Sequence, residues 1–162
     1  MLSKYDGDKL GWFRWWKLLV GLIAAVLILV NFVIGVSRVD GHSMDTTLHG
    51  GQLVFYMRLG ANPEVGDIVA IKMASGDRYI KRVIAVPGDV IDIQGDEVTV
   101  NGQVLNEDYI SSATDVEGRT ITYPYTVEED RYFVMGDNRE VSIDSRDFGS
   151  VLDKQILGIV IR

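Results

Sequence analysis

Residues 68–86, IVAIKMASGDRYIKRVIAV, hold two runs of apolar and β-branched residues on either side of a short turn. The runs at 68–73 and 79–86 have the length and residue types of β-strands. The Ser-Gly-Asp sequence at 75–77 is typical of the tight connection in a hairpin. We therefore predict two strands that are antiparallel neighbours in a sheet.

Similar short runs continue on both sides of this hairpin. Asn101-Gly102 is the strongest turn signal in the chain, because both residues tolerate the positive φ of a type I′ turn. Residues 152–161 read as a helical turn followed by a closing strand. The sequence thus predicts a mainly β fold of antiparallel sheets or a barrel. The other predicted strands lie at 52–58, 90–93, 97–100, 104–105 and 131–135.

The N-terminal part has a different pattern. Residues 18–36, LLVGLIAAVLILVNFVIGV, contain no charged side chain, and as a helix they would span roughly 28 Å, close to a bilayer core. Trp12, Trp15 and Trp16 precede this run as an interfacial aromatic belt would. We predict a transmembrane helix.

This run is also compatible with two other kinds of segment. The small-x-small triplet at 35–37 would suit a cleavable signal peptide, but the run is longer than the apolar core of about 7–15 residues of such peptides. A buried helix of a soluble protein is also possible on length, although the paired tryptophans and Lys17 fit lipid better. The membrane anchor is therefore favoured.

The charge distribution predicts the orientation of the anchor. Residues 1–17 carry four basic and two acidic side chains, a net charge of +2. Because the net charge of the whole chain is −7, residues 18–162 carry a net charge of −9. The positive-inside rule then predicts a cytoplasmic segment at 1–17, a helix at 18–36 and an extracytoplasmic β-rich domain at 37–162.

Composition excludes several classes of site. The chain has no cysteine and two histidines, so disulfides, thiolate metal sites and a cysteine nucleophile are excluded and a histidine-rich metal site is not expected. Nucleic acid is not an expected partner, because the acidic chain has no evident basic patch. We predict neither a metal nor another cofactor.

Ser43 is a candidate nucleophile, because it lies just beyond the apolar run on an irregular segment. A serine that only caps a turn would look the same. A serine nucleophile needs a base, and a lysine desolvated among apolar groups can supply one. Lys72 and Lys81 both lie in apolar strands, and each could instead be an edge lysine that reaches water. His42 and His49 are interpreted as exposed turn residues.

Residues 136–149, GDNREVSIDSRDFG, are unusually dense in hydrogen-bonding side chains. Such a loop can be held rigid by pairs of Asp and Arg and can orient a lysine through a serine hydroxyl. A calcium loop is disfavoured, because the full twelve-residue ligand spacing is missing. Residues 106–126 lack periodicity and predict a surface excursion, a class of segment that is often mobile.

In order along the chain, these segments resemble the type I signal peptidases, also called bacterial leader peptidases, which are membrane-bound Ser/Lys proteases of family S26. Four motif boxes carry the resemblance: SMDTTL at 43–48, GDIV at 66–69, YIKRVIAVPGD at 79–89, and GDNR at 136–139 followed by Ser142, DSR at 144–146 and FG at 148–149.

The resemblance implies that residues 37–162 form a peptidase domain of LexA-like signal peptidase fold, with 89–126 as a reduced insertion region. The implied activity is that of a serine endopeptidase that removes signal peptides from secreted preproteins, cutting after a small-x-small motif. The resemblance also implies the site residues. Ser43 would be the nucleophile, Lys81 the base and Ser142 the group that orients the lysine. The Ser43 N–H would stabilise the oxyanion. The supporting residues would be Asp137, Asp144 and Arg146, and the substrate pocket would contain Met44, Leu53 and Ile80.

The implied partners are signal-peptide-bearing preproteins, membrane lipid and the protein-export translocon. The chain departs from the family at Thr46, where proline is usual, which predicts a less rigid nucleophile segment. Gly41 also lacks the hydroxyl that some members carry two residues before the nucleophile. Alternatives are a self-cleaving regulator of the LexA type, disfavoured by the transmembrane run, and a non-catalytic membrane-anchored adaptor in pilus or secretion assembly.

Overall fold

A computed structural model describes residues 6–60 and 62–161. It begins with helix α1 (Asp6–Val33), so part of the segment predicted as cytoplasmic is helical and residues 1–5 lie outside the described residues. Within the described residues, one helix is long and apolar enough to cross a membrane. Its apolar part, Arg14–Val33, has a mean hydropathy of 2.4 and is not buried against the rest of the protein.

The helix ends earlier than the apolar run of the sequence does. Strand β1 (Ile34–Arg38) follows α1 directly, so residues 34–36, predicted as the end of the transmembrane helix, belong to the sheet. They pair with β2 (Leu53–Met57), in a register that places Val36 opposite Phe55. The apolar character of residues 34–36 therefore reflects a strand, which hydropathy alone does not distinguish from helix.

The main sheet has seven strands in the order β1-β2-β11-β3-β4-β9-β10. The predicted hairpin at 68–86 is confirmed, because β3 and β4 are antiparallel and Val69 pairs with Lys81. The turn and closing strand near the C-terminus are also present, as a 3₁₀ turn at Asp153–Gln155 and then β11. The remaining strands of this sheet are β3 (Ile68–Lys72), β4 (Arg78–Ala85), β9 (Arg131–Met135), β10 (Val151–Leu152) and β11 (Ile156–Val160).

A second, four-stranded sheet of order β7-β6-β5-β8 lies between β4 and β9 in sequence. Asn101 and Gly102 both have positive φ and connect β6 to β7, as the turn signal predicts. The strands of this sheet are β5 (Val90–Gln94), β6 (Glu97–Val100), β7 (Gln103–Val104) and β8 (Tyr125–Thr126). They lie within the region 89–126 that was predicted as an insertion.

Strand β4 lies near the centre of the main sheet, between β3 and β9. Its residues from Ile80 to Ala85 are all buried, whereas its first residue, Arg78, is exposed. Apolar side chains pack on both faces of the strand: Ile80 belongs to a core with Met44, and Val83 belongs to another core with Val69 and Val134. Lys81 is therefore carried into the interior by the strand that contains it.

The excursion at 106–126 is tied to the loop before and around helix α2 (Ser145–Phe148) rather than loose on the surface. Arg139 donates to Thr114 and pairs with Glu107, and Arg146 donates to the Asp115 carbonyl. These two arginines are fully buried. Ion pairs and buried hydrogen bonds fix this segment, which low periodicity in the sequence could not indicate.

Candidate active site

Ser43 lies in the turn that connects β1 to β2 and is half-buried. The buried side chains of Met44 and Leu48 pack into the core and hold this turn against the sheet. Within the turn, the Leu48 N–H donates to the Met44 carbonyl at 2.9 Å. The Ser43 hydroxyl is thus presented from a segment that is anchored directly after it, although Thr46 itself is exposed.

The predicted nucleophile and base are in direct contact. Lys81 Nζ donates a hydrogen bond to Ser43 Oγ at 2.7 Å, within the range expected for a nucleophile and its base. Lys81 is 2% exposed, whereas Lys72 is exposed at the end of β3. The structure therefore distinguishes between the two lysines that the sequence left as alternatives.

Burial lowers the pKa of Lys81 to about 8. Asp144 and Asp137 raise this pKa, and the guanidinium of Arg146 lowers it, so the charges of the surrounding loop partly offset one another. A lysine in this state is neutral in an appreciable fraction of molecules near neutral pH. Such an amine can accept a proton from a serine hydroxyl.

This pKa predicts the pH dependence of activity. The neutral amine is the form that can act as a base, so kcat/KM should rise with pH, reach half of its plateau near the Lys81 pKa of about 8, and level off at higher pH. The measurement is peptide cleavage between pH 5.5 and 10. The matched control is the double variant His42→Asn/His49→Asn, because these exposed side chains contact Asp45 and not Lys81.

The control should leave the midpoint of the acid limb unchanged. A midpoint near 10.5, the ordinary value for lysine, would contradict a desolvated base. A midpoint that moves in the histidine variant would show that the titration had been wrongly assigned to Lys81. The hydrogen bonds from His42 and then His49 lower the pKa of Asp45.

Asp137 connects the base strand to the nucleophile turn. Its carboxylate accepts two hydrogen bonds from Arg82, at 2.8 and 2.5 Å, and one from the Thr47 hydroxyl. Arg82 and Asp137 are both buried, and such bidentate pairs fix geometry as well as charge. Arg82 and Thr47 lie inside two of the motif boxes, but nothing in the sequence marks them as the partners of Asp137.

Gly136 and Asn138 bring the loop at 136–149 onto the nucleophile. The Asn138 N–H donates to the Ser43 carbonyl at 3.0 Å. A Cβ on Gly136 would meet both the Ser43 carbonyl oxygen and the Ser142 hydroxyl at distances that real Cβ atoms do not show. The glycine therefore allows three parts of the site to meet, a reason for glycine that the sequence pattern alone does not reveal.

Ser142 is buried beside Gly136 but does not make the predicted hydrogen bond to the base. Its Oγ has no hydrogen-bond partner in the part of the chain that the structure describes. A buried hydroxyl without a partner is uncommon and is found at functional sites. The orienting role of Ser142 stays a prediction.

Asp144 and Arg146 form a fully buried ion pair that supports this loop. Burial favours the neutral form of Asp144, but the hydrogen bonds and charge of Arg146 outweigh it and hold the pKa of Asp144 below its ordinary value. The Asp144 carboxylate also accepts the Gly136 N–H at 3.0 Å and caps α2. Each of the predicted support residues thus contacts the loop or the strand that carries the site.

A cleft leads away from Ser43, between the end of β1 and the start of β4. Of the three predicted pocket residues, Met44 and Ile80 line this cleft and Leu53 does not. Leu53 is 60% exposed, because the alternation of β2 places it on the face opposite to the core residue Val54. The lining residues that the sequence analysis missed are Arg38, Val39, Asp40, Arg78 and Tyr79.

The first residues of β4 offer a free backbone edge to this cleft. On one side, β3 pairs with residues 78–82, but on the other side β9 pairs only from Arg82 onward. Among the described residues, the edge at 78–81 is therefore unpaired. A peptide can add as a strand there, but not along the rest of β4, where β9 already pairs.

The described residues contain no group of three or more His, Asp or Glu side chains arranged to hold a metal ion. His42 and His49 are exposed and both contact the Asp45 carboxylate. This exposure confirms the interpretation of the two histidines as turn residues. Around Ser43, the structure brings a hydroxyl and a buried amine within hydrogen-bonding distance.

The sequence matches the family model of signal peptidase, peptidase S26, over residues 12–162. The chain belongs to this family. It is 34% identical to signal peptidase I S of Bacillus subtilis (strain 168), with 98% of this chain and 91% of that one covered. It is 33% identical to signal peptidase IB of Staphylococcus aureus (strain Mu50), with coverages of 90% and 85%.

A solved structure gives the same result. The signal peptidase I of Enterococcus faecalis V583 superposes with a TM-score of 0.52 at 32% identity, covering 62% of this chain and 97% of that one. The predictions of a mainly β signal peptidase fold and of an enzyme of the signal peptidase family are confirmed. The adaptor alternative is not favoured.

Proposed function

We propose that this enzyme removes N-terminal signal peptides from secreted preproteins, with Ser43 as nucleophile and Lys81 as base. The observation that carries the assignment of the two residues is the 2.7 Å hydrogen bond from Lys81 Nζ to Ser43 Oγ. Desolvation of the amine makes it basic enough, and uncharged often enough, for this role.

The mechanism follows from this contact. Neutral Lys81 takes the proton of the Ser43 hydroxyl as Oγ attacks the carbonyl carbon of the scissile peptide bond. The resulting ammonium then gives a proton to the leaving amine as the C–N bond breaks, which leaves an ester on Ser43. Lys81 next takes a proton from water, the hydroxide releases the acyl group, and the proton returns to Ser43.

The Ser43 N–H is proposed as a donor to the oxyanion. Within the described residues it makes no hydrogen bond, so it can donate to the negative oxygen that forms in the transition state. The Asn138 N–H that binds the Ser43 carbonyl fixes the orientation of this part of the backbone. The site is thus organised before the substrate binds.

The cleft supports a preference for small residues before the cleaved bond. Met44, Val39 and Ile80 are almost completely buried, so they form the floor of the cleft and leave little depth for a side chain. We propose that the substrate pairs with the free edge at 78–81 and places alternate small side chains toward this floor. This geometry corresponds to recognition of a small-x-small motif.

The N-terminal helix is proposed as a membrane anchor, with the N-terminus in the cytoplasm and the catalytic domain on the outer face. The net charge of +2 on residues 1–17 supports this orientation. Because β1 follows α1 directly, Ser43 is only a short strand and turn away from the end of the anchor. Preproteins emerging from the export translocon, a predicted partner, would meet the site there.

Lipid contact is proposed for the outward face of β1 and β2. Alternation along these paired strands places apolar side chains on the face away from the core, directly beyond the anchor. Such a continuous apolar surface next to a membrane helix is suited to the interfacial region of a bilayer. The exposed residues on this face and just after it are Val36, Leu53, Phe55, Met57 and Leu59.

The proposal is tested with the detergent-solubilised full chain and a preprotein whose signal peptide ends in a small-x-small motif. We expect cleavage after the motif, identified by mass spectrometry, no activity in Ser43→Ala, and full activity in EDTA. A product cut elsewhere, or activity that persists in Ser43→Ala, would contradict the assignment. Loss of activity in EDTA would indicate a metal-dependent reaction.

A further inference from the structure

Arg119 connects the excursion at 106–126 to the catalytic loop. Its Nη1 lies 3.1 Å from the Ser142 carbonyl oxygen and 2.7 Å from each carboxylate oxygen of Asp147. The side chain is 16% exposed and that of Asp147 29% exposed, so water only partly screens the pair. The Asp147 contact raises the pKa of Arg119, which is charged in any case.

The residues on either side of Ser142 contribute little apolar packing. Val141 and Ile143, its two neighbours in sequence, are 56% and 60% exposed, so packing of these side chains does not fix the segment. The Ser142 side chain is itself buried, and its hydroxyl has no hydrogen-bond partner among the described residues. The contact from Arg119 is therefore a direct restraint on the Ser142 backbone that the neighbouring side chains do not provide.

Arg119 also restrains Gly136, through the residues that cap helix α2. Asp147 accepts the Asp144 N–H and completes the capping box of this helix. Asp144 in turn accepts the N–H of Gly136, the residue that contacts Ser43 and Ser142. One guanidinium thus restrains Ser142 directly and Gly136 through two carboxylates.

We propose that Arg119 is a positioning residue of the peptidase, holding Ser142 and the Gly136 backbone in place beside the Ser43–Lys81 pair. The inference rests on the proposed function of that pair. Through Arg119, the excursion at 106–126 supports the active site, although this segment supplies none of the residues that the mechanism uses. A displacement of about 1 Å of such supporting groups can cost about 100-fold in rate.

The experiment compares Arg119→Gln and Arg119→Lys with Arg131→Gln. Arg131 is a matched control, because it also donates to a backbone carbonyl, that of Ser150, and pairs with an acidic residue, Glu128. Neither of those partners belongs to the proposed catalytic machinery. Measurements are kcat, KM and Tm, together with hydrogen exchange of residues 136–149.

For Arg119→Gln we expect kcat to fall about tenfold with KM within about twofold, and faster exchange in 136–149 than in Arg131→Gln at a similar Tm. Arg119→Lys should recover part of the rate, because a point charge can reach Asp147 or the carbonyl but does not reproduce the planar guanidinium. Equal kcat and equal exchange in Arg119→Gln and Arg131→Gln would overturn the inference.

Failure of the proposed function gives a different result. In that case wild type would not cleave the preprotein, or Ser43→Ala would still do so, whatever the Arg119 variants show. The exchange measurement does not depend on turnover and would then decide the positioning role by itself. Unchanged exchange in 136–149 would refute it.

Discussion

Lys81→Met is expected to abolish peptide cleavage and, at the same time, to stabilise the protein. The activity loss should be ~10⁴-fold or more, because Ser43 loses its base and the leaving amine its acid. Methionine is close to lysine in length and fits the buried site without a charge to desolvate. Activity is measured on the preprotein, and stability by urea unfolding in detergent.

The stability gain follows from the pKa of Lys81, which is about 8 in the folded chain against 10.5 as the ordinary value. Below pH 8 the folded state must hold a buried ammonium, and this cost declines as the pH rises from about 8 to 10.5. The full shift corresponds to roughly 3 kcal/mol, from which the lost hydrogen bond to Ser43 subtracts about 1. We expect Lys81→Met to gain about 1–3 kcal/mol at pH 7 and less at pH 10.

Lys72→Met is the matched control, since Lys72 lies exposed at the end of the neighbouring strand β3. It should keep full activity and show no pH-dependent gain in stability. If Lys81→Met were destabilised at pH 7 by more than the control, the lysine would not be a desolvated group. If Lys72→Met were the inactive variant, the base would have been assigned to the wrong strand.

Gly136→Ala should reduce kcat by about 100-fold or more, the second largest effect that we expect. An added methyl group would meet the Ser43 carbonyl and the Ser142 hydroxyl at once, and the backbone of Ser43 cannot move without displacing Oγ from Lys81. The crowding should also lower stability by about 1–3 kcal/mol. Activity and Tm of the purified variant measure the two effects.

Gly21→Ala serves as the control for this variant, because a Cβ at Gly21 would have no neighbour within 4 Å. It should leave kcat and Tm unchanged. Full activity of Gly136→Ala would mean that the loop can retreat from the nucleophile without consequence. That result would contradict the close approach on which the description of the site depends.

The sequence predicted those parts of the fold that depend on interactions between residues close together in the chain. The hairpin at 68–86 and the Asn101-Gly102 turn depend on residue types and φ preferences within a few residues of each other. Strand β1 was not predicted, because its apolar residues continue the helix pattern in sequence. The two-residue strands β8 and β10 are too short to give any periodicity.

The site could be predicted only in part for a physical reason. Alternation does not separate Lys72 from Lys81; what separates them is that Lys72 is the exposed last residue of β3, whereas Lys81 lies inside β4 and is buried. The contacts of Arg82 with Asp137 and of Arg119 with Ser142 join residues that are far apart in sequence. Motif resemblance could point to Asp137 and Ser142, but it contained no information on which arginines hold them.

The direct continuation of α1 into β1 fixes the distance between the end of the helix and the turn that carries Ser43. Five residues of strand span about 16 Å, and no flexible spacer lies between them and the end of the anchor. With α1 as the proposed anchor and Ser43 as the proposed nucleophile, the height of the nucleophile above the bilayer would be set by the fold itself. A cleavable bond then has to match two criteria, the small side chains around it and its distance from the end of the apolar segment that precedes it. Sequences with a suitable motif at the wrong height should escape cutting.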